Sequence, residues 1–177
     1  MKSKSFIFAL CCFALFLSGA EILRNADFSK LKADGTPEEW EFRGNPSDFK
    51  KESDGSVVLT MTDKPVMLIL NRLAAKPGTE YVFLFDAKAP RGTDFMVYFE
   101  EFIDGGWRNP GTKCRPGGQG QWQPGNIRFT PSVKVKQNRL LIRLLNKNAT
   151  LQIKNLQIVP AAEYRETDLA AEVKSAE

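Results

Sequence analysis

Between Ile22 and Val159 the chain is a succession of short apolar runs, rich in β-branched and aromatic residues and closed by Gly, Pro, Asn or Asp. The runs are Val57–Met61, Val66–Leu73, Tyr81–Phe85, Phe95–Phe99, Asn126–Phe129, Arg139–Leu145 and Leu151–Val159. Runs of this length and composition, separated by breakers, are strands, and seven in series predict an all-β antiparallel sandwich of the jelly-roll kind. No long segment before Pro160 repeats its apolar residues at a helical period, so the strand–helix–strand units of a parallel sheet are not expected.

Side chains alternate across a strand, and this assigns faces. In Arg139–Leu145, the residues Leu140, Ile142 and Leu144 share one side, with Arg139 and Arg143 on the other. In Phe95–Ile103, the set Phe95, Val97 and Phe99 is the better core, so Met96, Tyr98, Glu100 and Phe102 point away from it. The last run changes phase. Leu151 and Ile153 are in register with each other, as are Leu156 and Ile158, so a β-bulge is expected near Lys154–Asn155.

Two segments stand outside this rhythm. Asp104–Gly125 reads as one long Gly- and Pro-rich loop carrying Trp107, Arg108, Lys113, Cys114, Arg115 and Trp122; loops of that length are commonly functional or mobile. Ala161–Glu177 is polar and Ala-rich and reads as a tail or frayed helix.

The start of the chain is an address. Lys2 and Lys4 precede the uncharged run Phe6–Leu17, and Ser18-Gly19-Ala20 supplies the small residues a signal peptidase reads. The expected division is therefore a signal peptide at 1–20, a sandwich domain at 21–160 and a tail at 161–177, with a secreted or periplasmic location. Cleavage removes two of the 25 basic residues and none of the 21 acidic ones, leaving a mature charge of +2. So balanced a charge gives no reason to expect nucleic acid as a partner, and no membrane association is expected after cleavage. Cys11 and Cys12 leave with the signal and Cys114 remains alone, so no disulfide supports the domain. The chain has no histidine. That excludes Ser–His and Cys–His nucleophile pairs and His-ligated zinc.

Three stretches, in order, resemble the carbohydrate-binding modules of the family 4/9 type, which have a galactose-binding-like jelly roll. The entry Ile22-Leu-Arg-Asn-Ala-Asp-Phe28 with Pro37-Glu-Glu-Trp-Glu-Phe42 is similar to that family's "N-G-D-F-E … G-W" opening. Lys76-Pro-Gly-Thr-Glu-Tyr-Val-Phe-Leu-Phe-Asp-Ala-Lys-Ala89 is similar to its "P-G-x-x-Y-x-F-x-F-x-A-K-A" strand. Gln121-Trp-Gln123, Phe129-Thr130 and Leu151–Ile158 are similar to its close, which ends in an "I-D-D-V" strand. The resemblance implies a non-catalytic module whose partner is a polysaccharide or glycan. It departs from the family at two points: Ala26 replaces a glycine, and Lys154-Asn155 replaces the acidic pair that helps to hold a structural calcium. An ammonium in that place repels Ca²⁺, so no metal or other cofactor is expected.

A sugar-binding face needs aromatic platforms for the apolar sides of pyranose rings and planar polar groups for their hydroxyls. Tyr98, Glu100 and Phe102 share the non-core side of one strand, Trp107 follows among glycines, and Arg143 is expected on the same face opposite or near Glu100. Trp40 and Trp122, at positions where the resembled family packs aromatics against the sandwich edge, are read as structural. Glu100 and Glu101 are adjacent on a strand and point to opposite faces, so they cannot flank one glycosidic bond, and no enzyme activity is expected. Gly117–Gly120 lacks the Gly-Lys-Ser/Thr ending of a phosphate loop. The expectation is a secreted module or accessory subunit that binds glycan without chemistry. The alternative is a secreted structural sandwich with a protein partner.

Overall fold

A computed structural model describes residues 22–114, 118–133 and 135–164. The expected signal peptide, Arg115 and the tail beyond Tyr164 lie outside the described residues. Within them run β1 (Trp40–Arg43), β2 (Phe49–Lys51), β3 (Val57–Met61), β4 (Met67–Asn71), β5 (Tyr81–Lys88), β6 (Phe95–Ile103), β7 (Gly106–Arg108), β8 (Lys113–Cys114), β9 (Trp122–Phe129), β10 (Gln137–Leu144) and β11 (Ala149–Pro160). One single-turn 3₁₀ helix at Pro46–Asp48 is the only helix among the described residues.

The strands form two antiparallel sheets. The first runs β1-β4-β10-β6-β7, with β8 also pairing with β6; the second runs β2-β3-β11-β5-β9. The inner faces meet in an aromatic-rich core. Phe99 of the first sheet stacks on Phe129 of the second at 4.2 Å between ring centroids, and Phe83, Phe85, Phe95, Leu68, Leu70, Leu140 and Ile142 are buried around them. The predicted alternation of β6 and β10 is the one observed, with Leu140 opposite Phe99 and Ile142 opposite Val97. At Gly125 the core has no room for a side chain: a Cβ there would meet the Phe85 ring at 2.4 Å.

The three stretches similar to the carbohydrate-binding modules each have a structural task. Asn25, at φ 49°, donates its Nδ2 to the carbonyls of Lys30 and Glu38 and accepts the Lys30 N–H, which pins the entry loop. Phe28 then seals the end of the core against Trp40 and Phe49. In the middle stretch, Gly78 turns the chain at φ 76° and the Tyr81 hydroxyl accepts the Lys76 N–H at 3.0 Å. In the closing strand, β11 carries the predicted bulge. Its register against β5 shifts between Lys154 and Gln157, with Asn155 at φ 54°.

The expected loop at Asp104–Gly125 contains strand: β7, β8 and the first half of β9 fall within it. Asp104 and Gly105, at φ 51° and 81°, form a two-residue turn with both central residues left-handed, as hairpins prefer. Ile103 then pairs with Gly106 and Phe102 with Trp107. β8 and the first residues of β9 follow, so this region extends both sheets. Glu101 faces the core from β6, fully buried, and accepts the Ser132 backbone N–H and Oγ–H, each at 2.7 Å. That pair of bonds fixes the connection that leads into β10.

Candidate ligand-binding face

The outer face of the first sheet is built in rows. Across β1, β4, β10, β6 and β8 the register aligns Glu41, Ile69, Leu141, Tyr98 and Lys113. Ile69, Leu141 and Tyr98 point away from the core and are nevertheless buried, forming a second apolar cluster against which Met67 and Met96 pack. This is the floor of the face. The row on one side holds Asn71, Arg139 and Glu100, and the next holds Gln137, Phe102 and Trp107. The row on the other side holds Arg43, Met67, Arg143 and Met96.

At the Trp107 end the polar and aromatic groups lock together. Arg139 donates through Nε (2.8 Å) and Nη2 (2.6 Å) to Oε2 of Glu100. Its guanidinium lies 3.7 Å from the centre of the Trp107 ring, and Trp107 meets Phe102 edge-on at 5.5 Å. The ion pair is mostly shielded, at 17% and 19% side-chain exposure, while Trp107 is 38% exposed. Beyond β4, the Glu41 carboxylate accepts Arg43 Nε at 2.6 Å and Asn71 Nδ2 at 3.0 Å. Burial pushes the Glu41 pKa up. The two hydrogen bonds and the charges of Arg43 and Arg139 outweigh it and hold the group below its ordinary value. Lys113 stands over the Tyr98 ring at 5.9 Å.

Tyr98, Glu100, Phe102, Trp107 and Arg143 therefore all lie on one face, with two differences from the sequence expectation. Trp107 belongs to a strand, β7, and not to a loop, because the Asp104–Gly105 turn folds it back beside Phe102. The arginine that engages Glu100 is Arg139; Arg143 lies one row beyond the floor, between Met67 and Met96. Arg139, Glu41, Asn71, Ile69, Leu141 and Lys113 join the face without having been singled out. Alternation already placed Arg139 on this side, but only the pairing of β10 with β6 decides which arginine faces Glu100.

The other tryptophans divide. Trp40 is a core residue at 1% exposure, its indole N–H donating to the Arg24 carbonyl at 3.0 Å. Trp122 is half-buried on the edge strand β9, with the Lys154 ammonium 4.3 Å from its ring centre. It is thus a surface prop for the bulge and no part of the core. Cys114 packs against the core from β8, and burial raises its thiol pKa despite an opposing hydrogen bond from the Asn126 backbone. That disfavours the reactive thiolate.

No protein-family model matches the sequence, and no curated protein matches it in sequence. Solved structures do match in shape. A CBM4 carbohydrate-binding module superposes with a TM-score of 0.60 at 18% identity, covering 77% of this chain and 98% of that one. The N-terminal cellulose-binding domain of Cellulomonas fimi β-1,4-glucanase C gives 0.54 at 15% identity, covering 74% and 94%. A CBM61 module in complex with β-1,4-galactotriose gives 0.55 at 14%, covering 79% and 98%. The fold is that of carbohydrate-binding modules.

The bulge where that resemblance departs in sequence is occupied by its own contacts. Asn155 Nδ2 donates to Asp86 Oδ2 at 2.7 Å, and Lys154 is stacked on Trp122. Asp27, the acid of the entry stretch, is engaged in a local turn by the Ser29 N–H, which lowers its pKa. With these carboxylates engaged and an ammonium beside them, calcium should not support the fold. Thermal melts with millimolar calcium and with chelator should coincide; a shift of several degrees would show a metal bound to the native state.

Proposed function

We propose that the protein is a secreted, non-catalytic carbohydrate-binding module of the family 4/9 type that takes a glycan chain across the outer face of its first sheet. The observation that carries this reading is the lock of Phe102, Trp107, Arg139 and Glu100 beside the apolar floor of Ile69, Leu141 and Tyr98. An exposed indole offers a platform for the apolar side of a sugar ring. The carboxylates of Glu100 and Glu41 and the amide of Asn71 offer planar acceptors and donors for hydroxyls. The shape likeness to sugar-binding modules and the three similar sequence stretches point the same way.

The spacing of the carboxylates supports binding without hydrolysis. Glu41 and Glu100 are the carboxylates of the central rows, and they stand on strands three places apart, roughly 14 Å at the usual strand spacing. Glycosidase carboxylates stand about 5–9.5 Å apart, and one of them needs freedom to exchange a proton. Here each is tied to an arginine.

Affinity electrophoresis of the exported protein in gels containing xylan, β-glucan, galactan, polygalacturonate or carrageenan tests the reading. Retardation by at least one polymer is expected, and free migration in all of them would overturn it. Export belongs to the same proposal: N-terminal sequencing of the exported product should read Glu21 first, and an intact Met1 would refute cleavage.

A further inference from the structure

Resting on that reading, we propose that the glycan is acidic, and that Arg143 receives a carboxylate or sulfate ester carried on the sugar ring. Arg139 and Arg43 each donate to a glutamate of their own. Arg143 does not. Among the described residues it has no ion pair, and its Nε is buried without a hydrogen-bond partner. Arg143 is flanked in its row by Met67 and Met96, which offer no charge. A buried, charged N–H without an acceptor lowers stability, and Arg143 as a whole is only half-buried, so an anion that reaches its guanidinium gains a partner the fold does not supply.

The surrounding charge favours the same ligand. The central rows carry Arg43, Arg139, Arg143 and Lys113 against Glu41 and Glu100, an excess of two positive charges on a face whose other central residues are uncharged. Asp94, just before β6, is the next carboxylate along that strand and already has an interaction of its own. Arg139 and Arg143 are four residues apart on β10, about 13 Å along the strand. One guanidinium is therefore clamped at the aromatic end of the floor, and the other stands half-buried at the far end, with no ion pair among the described residues. A chain lying along β10 spans both, its rings over the floor and an anionic substituent reaching Arg143.

Two polymer pairs that share a backbone and differ at the anionic group decide the matter: polygalacturonate with its methyl ester, and carrageenan with its desulfated form. In dilute buffer the charged member of at least one pair should bind the full exported chain about tenfold more tightly or better, the gain for a hydrogen bond to a charged group. Which pair responds separates carboxylate from sulfate. Added salt should shrink the ratio. Arg143→Gln should bring the ratio near one, Arg143→Lys should keep much of it, and Lys50→Gln, an exposed lysine on the other sheet, should leave it unchanged. Melting curves check that the variants fold. Equal affinities within both pairs, or a ratio that survives in Arg143→Gln or falls equally in Lys50→Gln, would overturn the inference. Binding confined to neutral xylan or β-glucan would overturn it and leave the glycan reading standing, whereas failure of every polymer would remove the reading itself.

Discussion

Trp107→Ala should weaken binding of whatever glycan the screen identifies by about 1–3 kcal/mol, roughly five- to 150-fold, and leave the domain folded. The indole is 38% exposed on the three-residue strand β7 and buries no core surface. Its loss removes the platform and frees Arg139 from one of its two restraints, so binding should fall more than a surface contact would suggest. Titration calorimetry with parallel melts reads both quantities. A variant that unfolds would show Trp107 to be structural, and a folded one that binds as well as the parent would remove it from the ligand surface.

Trp40→Ala is expected to do the reverse and on a larger scale. Trp40 is 1% exposed, packs at 5.4 Å on Phe28 and gives its N–H to the Arg24 carbonyl. Truncating a buried tryptophan costs about 3–5 kcal/mol, a large share of the roughly 5–15 kcal/mol by which domains are stable. The urea midpoint should drop accordingly. The same change at Trp122, a half-exposed ring with a lysine above it, should cost about 1 kcal/mol. Similar losses at the two positions would mean that the edge of β9 is far better packed than its exposure indicates.

The contrast shows what pattern alone reveals in this chain. The longer strands were legible because each holds an apolar, β-branched or aromatic run of four or more residues between breakers, and the bulge at Lys154–Asn155 was legible because alternation slips there by one. β1, β2, β7 and β8 span two to four residues and give alternation nothing to work on. In Asp104–Gly125 the abundance of Gly and Pro concealed a hairpin that its Asp-Gly pair encodes. The candidate face was readable strand by strand: alternation sent Tyr98, Glu100, Phe102 and Arg143 outward together. Which residues touch across strands was not readable, because β6 meets β10 only after β7, β8 and β9 have intervened in the chain. The buried floor is a further consequence of pairing. Ile69 and Leu141 bury each other only because the pairing of β4, β10 and β6 sets them beside Tyr98.

Arg139 is seated on Trp107 and bound to Glu100 by contacts within the chain itself. The ordering of that long side chain, worth about 1.5–2 kcal/mol, is therefore completed as the protein folds and not at the moment of capture. A glycan meeting this end of the face has no rotamer to wait for. Association should run at a similar rate for different sugars, and discrimination among them should lie in how long each stays.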